Sequence, residues 1–473
     1  MINRSLRLLA VILPAVAVVT LFVGIERYGS ADNLQRRIAA EFVALRPHPE
    51  FVPTPLATEA PLADLRIVWD ETETLPPIVT SMPDIRMQAL VSPTPMVGVV
   101  PTVDPASSAG VTPAPPSLPV RPVVPTITPS PIRPTSPPPT ASPTPLPSIA
   151  AAQASAGTRL AGLTHIWQTW NNCGPATLAM ALSYYGKKVG QQEVGAYLRP
   201  DPDDKNVNLE EMAAYARSYG LSATVRAQGD AERLRRLIAA GVPVLIETWH
   251  ETKPNDGMGH YRLLVGFDDT AGQWIAYDSF DARDLVKGQP YSGIRLPYEE
   301  TDRLWSVFNR QYLVIYDAAR TAAAEHLLNE DRDPSAMSAR VLAQAQAIVQ
   351  AQPNDPFAWF NLGSDLVALG RFKEAAQAYD RARRIGLPWR MLWYQFGPFR
   401  AYYETGRQDE VIALANATIA TAKQVEEAFY WRGLAEKAKG DTTAARASWQ
   451  RALELNPRYT DAAAALTSLD RPQ

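Results

Sequence analysis

The sequence predicts an α+β domain built on an antiparallel sheet, followed by an all-α solenoid of helical repeats; a single apolar N-terminal helix and a disordered proline-rich linker precede them. Three observations carry this expectation. Between residues 161 and 317 helical periodicities come first and strand-like runs follow, an order that suits an antiparallel sheet better than a doubly wound parallel one. Beyond residue 318 strands vanish and alanine rises, with glycines recurring at intervals of 34 and 36 residues. Of the 42 prolines, 17 fall between Pro101 and Pro147, which marks a linker and not a folded core. A chain of 473 residues has room for two or three such units.

Charge and cysteine usage narrow the function classes. The 46 basic and 49 acidic side chains nearly cancel to a net charge of -3, which gives no support for nucleic-acid binding. One cysteine excludes an intrachain disulfide and a thiolate cage for zinc, and no metal or cofactor is expected.

Taken in order, residues 1–30 hold an uncharged run from Leu8 to Ile25, close to the minimum of about 18 residues that spans a bilayer. Gly29 and Ala31 offer a small-x-small cleavage site, but Glu26 and Arg27 stand where an export signal carries neutral residues. The segment reads as an uncleaved transmembrane anchor, with a cleaved signal and a buried soluble helix as the alternatives. Arg4 and Arg7 put the N-terminus in the cytoplasm and the rest of the chain outside it; a cleaved signal would make the protein secreted.

Residues 31–157 form a Pro/Thr/Ser-rich spacer, as in Pro113-Ala-Pro-Pro-Ser-Leu-Pro119. Such composition cannot bury enough to offset ordering entropy, and the stretch from about Arg46 to Ala150, as extended polyproline II at roughly 3.1 Å per residue, would reach on the order of 300 Å at most. It is expected to act as a tether that holds the later domains away from the bilayer.

Residues 158–318 make the α+β domain. Pro175 to Tyr185 has Leu178, Ala181, Leu182 and Tyr185 at helical spacing, with Pro175 in the first turn and Gly186 past the end. Asn208 to Tyr219 is a second helix with Asn208 and Glu211 as a capping box, and Asp230 to Ala240 a third. Strands are expected at Val242–Trp249, Tyr261–Phe267, Trp274–Tyr277 and Tyr312–Tyr316. The run Asp201-Pro-Asp-Asp204 reads as a solvated loop ahead of Asn208 rather than a calcium site.

In residues 319–473, Gly363, Gly397 and Gly433 are expected within helices, and Gly370, Gly406 and Gly440 in the turns to the partner helices. With Trp359-Phe-Asn-Leu-Gly363, Leu369-Gly-Arg-Phe-Lys-Glu-Ala-Ala376 and the terminating Asn456-Pro457, this pattern resembles the tetratricopeptide repeat, which implies a protein partner. The middle unit departs from it, with Pro398 inside its first helix and Val411 and Ile412 where small residues are usual. Trp359, Tyr394 and Trp431 line the grooves in part and are expected to be packing residues.

The lone cysteine lies in Gln168-Thr-Trp-Asn-Asn-Cys173-Gly-Pro, directly ahead of a helix. There the helix dipole and free N–H groups favour thiolate over thiol, whereas a structural cysteine belongs mid-helix on the apolar face. Gln168 is placed to donate its amide to an oxyanion beside the Cys173 N–H. Of five histidines, His48 falls in the spacer and His326 in the helical part, and His165 and His250 suit packing or surface roles. His260 opens a strand after Gly257-Met-Gly259, glycines that would let a substrate backbone approach the imidazole. In the hairpin that follows, the residue facing His260 falls at 278 to 281, so Asp278 or Asp281 can orient the ring.

Gln168-x4-Cys173-Gly-Pro-Ala, Gly241-Val-Pro-Val-Leu-Ile246, Gly259-His260-Tyr, Val265-Gly-Phe-Asp268 and Tyr277-Asp278 together resemble the bacteriocin-processing, double-glycine-leader cysteine peptidases, and more closely their stand-alone peptidase C-thirty-nine-like relatives of papain-like fold. The resemblance covers about residues 158 to 318 and implies Cys173 as nucleophile, His260 as general base and acid, Asp278 as orienting carboxylate and Gln168 as oxyanion donor. Ser279 stands where the family usually shows proline. No P-loop follows the domain, so the exporter role does not carry over. The expected protein is a membrane-tethered cysteine peptidase acting on a peptide or protein substrate, with amidase and transpeptidase action as further chemistries. The alternative is a catalytically silent surface scaffold.

Overall fold

Alternation of apolar side chains on the central strands divides the sheet region into two cores. Leu245 lies opposite Leu263 and Leu313, and all three face one layer of helices; Val244 lies opposite Leu264 and Val314, and these face the other. The computed structural model describes residues 49–56, 157–253, 256–281, 291–328 and 334–470. The expected N-terminal helix, most of the proline-rich spacer and His48 lie outside them. Among the described residues no helix is long and apolar enough to cross a membrane.

The strands are β1 (Gly157–Arg159), β2 (Ser222–Arg226), β3 (Val244–Lys253), β4 (Asp256–Asp268), β5 (Gln273–Asp278), β6 (Ile294–Pro297) and β7 (Tyr312–Tyr316). They run in the order β2-β7-β3-β4-β5-β6, with β1 also on β4, and every pairing is antiparallel. The helices of this region are α1 (Cys173–Tyr184), α2 (Gln191–Leu198), α3 (Leu209–Ser218), α4 (Ala231–Ala239), α5 (Tyr298–Ser306) and α6 (Thr321–Leu328). Leu178, Met180 and Leu182 of α1 and Met212 of α3 fill the first core; Leu234, Leu237 and Ile238 of α4 and Ala324 and Leu328 of α6 fill the second. Burial on both faces is why β3, β4 and β7 carry continuous apolar runs.

The three expected helices form, and both halves of the Asn208–Glu211 capping box are made. The sequence reading did not anticipate α2, β2, β6 or α5, short elements that take their stability from the sheet and its flanking layers. β3 and β4 also extend past their apolar runs by pairing with each other as far as Lys253 and Asp256. His260 therefore does not open its strand; it sits inside β4 opposite Thr248.

The C-terminal region is helical throughout: α7 (Pro334–Ala351), α8 (Pro356–Ala368), α9 (Phe372–Ile385), α10 (Gly397–Glu404), α11 (Gln408–Thr421), α12 (Glu426–Ala438), α13 (Thr442–Leu455) and α14 (Thr460–Leu469), with a 3-10 turn at Trp389–Trp393. Gly363 and Gly433 each receive an aromatic ring sixteen residues further on: a Cβ would stand 2.7 Å from Tyr379 in the first case and 2.5 Å from Trp449 in the second. The middle unit has Ala413 at that place, and its Gly397 is covered by the Tyr379 hydroxyl of the preceding unit. Its first helix begins at Gly397, so Pro398 is in the opening turn and not inside the helix as expected. A proline has no N–H to donate and is tolerated only there, which shortens α10 to eight residues.

Sheet and repeats share a core. Trp249, Leu304, Val307 and Phe308 pack with Phe360, Leu362, Tyr379 and Met391. Across the same seam Asn309 donates to Asp365 at 2.6 Å and Asn206 to Glu427 at 2.7 Å.

Candidate active site

Cys173 is the first residue of α1 and is partly exposed. Burial raises its thiol pKa, but a hydrogen bond and the charge of His260 outweigh this, and backbone N–H groups of Tyr261 and Gly174 add to the lowering. The buried Arg199 guanidinium is near enough to interact electrostatically with the same sulfur. The group is thus biased toward thiolate.

His260 Nε2 lies 2.9 Å from Asp278 Oδ1, which leaves Nδ1 as the nitrogen for the thiol. Asp278 has no exposed surface. Its Oδ1 also accepts the N–H groups of Phe280 at 2.8 Å and Asp281 at 2.7 Å, and its Oδ2 accepts Arg262 Nε at 2.9 Å. Burial alone would raise this carboxyl, yet His260, Arg262 and the Asp281 N–H hold it far below the usual range. Burial likewise lowers His260, and the Asp278 charge and hydrogen bond reverse that, lifting the imidazole to about 9. Asp281 stands instead at 3.9 Å from Arg262. The register explains the choice: Arg262 pairs with Asp278, which brings the carboxylate diagonally across from His260, two residues away on β4.

Gln168 is tied to the strand end that carries Asp278. Its backbone N–H donates to Ser279 O at 2.8 Å, and the Ser279 hydroxyl donates to its Oε1 at 2.8 Å. The side-chain amide oxygen is thereby occupied, and the NH2 is the end available to donate. The loop between Gln168 and Cys173 is fastened by Gln191 of α2, which donates to Trp167 O at 2.8 Å and accepts from Thr169 N at 2.8 Å and Asn172 at 3.1 Å. Arg199 donates to Asn172 Oδ1 at 2.7 Å. Asn171 adopts φ 55°, a left-handed conformation that asparagine tolerates better than most side chains. Sequence reasoning missed Gln191, Arg199, Arg262 and Ser279; a buried-network role leaves no periodic signal, although Ser279 already stood out as a departure from the family pattern.

The expectation for Gly257 and Gly259 is overturned. A Cβ at residue 257 would collide with the Trp249 indole, and one at 259 would stand 2.7 Å from Glu247 Oε1 and 3.3 Å from the Tyr394 ring. The glycines admit the protein's own side chains rather than a substrate backbone. Glu247 is buried, and burial followed by the Cys173 charge raises its carboxyl well above the ordinary value. The Tyr261 hydroxyl donates to Val207 O at 2.6 Å. Tyr394 comes from the repeats, held beside β4 by the Arg390–Asp256 ion pair at 3.1 Å. It walls the candidate site, while Trp359 and Trp431 pack against the repeat core as expected.

His165 donates to Asp278 O at 2.8 Å and stacks on Tyr291 at 3.5 Å, and the His250 ring centre is 5.9 Å from that of His260. Burial, followed by the charges of His260 and Arg262, lowers His250 to about 4. His326 lies on α6. The Asp201–Asp204 loop is not fully solvated: Asp204 is 3 % exposed, and Glu426 of the repeats is near enough to interact with it electrostatically. Among the described residues no group of three or more His, Cys, Asp or Glu side chains is arranged to hold a metal.

Residues 159–313 match the model of the Peptidase_C39 like family, and residues 426–459 match that of the tetratricopeptide repeat. No curated protein matches the chain. Solved structures similar to parts of it include a protein from Bacillus anthracis described as a C39-like peptidase (15% identity, 34% of this chain, 98% of that chain, TM-score 0.28). Another is a double glycine motif protease from an AMS/PCAT transporter in complex with the leader peptide (24% identity, 34% of this chain, 94% of that chain, TM-score 0.25). A third is YrrB, a tetratricopeptide repeat protein with an unusual peptide-binding site (17% identity, 31% of this chain, 91% of that chain, TM-score 0.17).

Proposed function

For a chain in which a Peptidase_C39-like domain precedes tetratricopeptide repeats, we propose that the protein is an exported, membrane-tethered cysteine hydrolase of papain-like fold that cleaves peptide bonds, its repeats binding a protein partner. The observation that supports this reading most is His260, bonded through Nε2 to a buried carboxylate and partnered by the thiol of a helix-initiating cysteine.

In this mechanism the Cys173 thiolate attacks the carbonyl carbon and forms a C–S bond. Its proton is already on His260, which passes it to the leaving amine as the C–N bond breaks. Water then attacks the thioester while His260 takes a proton, and C–S cleavage restores the thiolate. The Cys173 N–H and the Gln168 NH2 receive the oxyanion. An amine in place of water would give transpeptidation, and the same steps on a cell-wall amide would give amidase action.

A silent scaffold is the second reading, favoured by the side chains of Trp249, Glu247 and Tyr394 that occupy the space over the two glycines. A thiol-directed probe separates the two. Wild type is expected to react at least tenfold faster at pH 7 than His260→Ala, and equal rates would remove the enzyme reading. Peptide-library cleavage, with Cys173→Ala as the inactive control, then gives the bond specificity.

A further inference from the structure

Residues 49–56 lie a hundred residues ahead of the sheet region in sequence, yet they are laid along the repeats as an extended strip. Val52 N–H donates to Leu387 O at 2.9 Å, Trp389 N–H donates to Glu50 O at 3.3 Å, and Phe51 and Pro388 form an antiparallel bridge. Arg383 Nε donates to Pro53 O at 2.8 Å, and Leu56 N–H to Glu410 Oε2 at 2.9 Å. Arg383 and Glu410 are themselves a buried ion pair at 2.7 Å, so the strip is bonded to fixed groups and not to mobile surface side chains. Val52 is 3 % exposed and belongs to the core shared by sheet and repeats.

The repeat region is shaped for this strip. Gly386, at φ 121°, ends α9 where a Cβ would stand 3.2 Å from the Phe51 ring, so a side chain there is excluded both by backbone conformation and by the ring. In the strip, prolines at 49, 53 and 55 have no N–H to leave unpaired, while the N–H groups of Val52 and Leu56 are both used. Prolines also favour the extended backbone before docking, which lowers the ordering cost.

We propose that residues 49–56 are a built-in ligand of the repeat array: a noncovalent clasp that occupies a site for extended, proline-interrupted peptide at the α9–α10 junction.

The test uses the full chain, solubilised, with an N-terminal affinity tag and a site-specific protease sequence inserted after Gly110. After scission, the part that carries the repeats is expected to stay on the affinity resin, and a synthetic peptide of residues 46–58 in excess is expected to release it where a scrambled peptide does not. Val52→Asp, checked by thermal melting to retain folded repeats, is expected to release at least tenfold more. Release from the cut wild type, or retention unchanged by both the peptide and Val52→Asp, overturns the clasp. None of these readouts depends on hydrolysis.

Discussion

The buried carboxylate of Asp278 and the acids at the seam with the repeats end in opposite electrostatic states. Beside Cys173, Asp278 is buried but receives His260, Arg262 and two backbone N–H groups, and its pKa is driven down. At the seam with the repeats, Asp204, Glu211, Glu426 and Glu427 meet chiefly one another and neutral amides. Burial, and for most of them like charge, pushes these upward, Glu211 to about 7. Asp204 and Glu426 are almost as deeply buried as Asp278, and Glu211 and Glu427 are half-buried. What differs is the number of cationic and N–H partners, which decides whether a buried acid is an anion or carries a proton.

Replacing Asp278 by Asn breaks its cluster of partners and has the largest expected effect. It leaves the buried Arg262 charge with only the more distant Asp281 at 3.9 Å, at a cost of about 3 kcal/mol in chemical unfolding. The His260 pKa falls from about 9 toward its ordinary value, because the carboxylate is what raises it. In the proposed mechanism the imidazolium that protonates the leaving amine is then lost at lower pH, so the alkaline limb of the rate profile is expected to move down by roughly two units. An unmoved limb would show that Asp278 does not set the charge of His260.

Ser279→Ala tests the link from that cluster to Gln168. Removing an oxyanion donor outright costs roughly a hundredfold or more, and freeing its anchor should cost less, about tenfold in kcat. Alkylation of Cys173 is expected to stay at the wild-type rate, since the thiol–imidazole pair is untouched; a parallel fall in both would mean that the serine is only structural.

Glu427→Gln has the smallest expected effect and the opposite sign. A carboxyl whose folded pKa is raised loses stability as pH climbs from the unfolded value toward the folded one, because the unfolded chain ionises freely. The glutamine retains an oxygen for Asn206 and removes that penalty. The melting temperature is expected to rise by about 2 °C at pH 8 and by less at pH 5. A fall at pH 8 would mean that the seam holds its charge favourably.

Much of the site was legible because its signals are local. A cysteine ahead of Pro175, a glutamine five residues earlier and a hairpin that brings residue 278 near residue 260 are all short-range features. The capping box at Asn208 and the turn glycines of the repeats were legible for the same reason. Gln191 and Arg199 were not, since their partners Trp167 and Asn172 are 24 and 27 residues away and follow no period. Arg262 lies on a strand that reads as apolar, and only the β4–β5 register reveals that it faces a carboxylate. The glycines misled because a missing side chain signals space without saying what fills it.

The sequence by itself determined three helices and four strands of the sheet region, the helix start at the thiol and the repeating helical pairs, each dictated by spacing within one or two turns or one hairpin. Only the tertiary structure bonded Asp278 rather than Asp281 to the His260 ring, brought Tyr394 of the repeats beside Gly259, buried Asp204 and laid residues 49–56 on the array. These contacts join residues distant in the chain, and their energies arise from burial and pairing in the assembled fold, which no local pattern encodes.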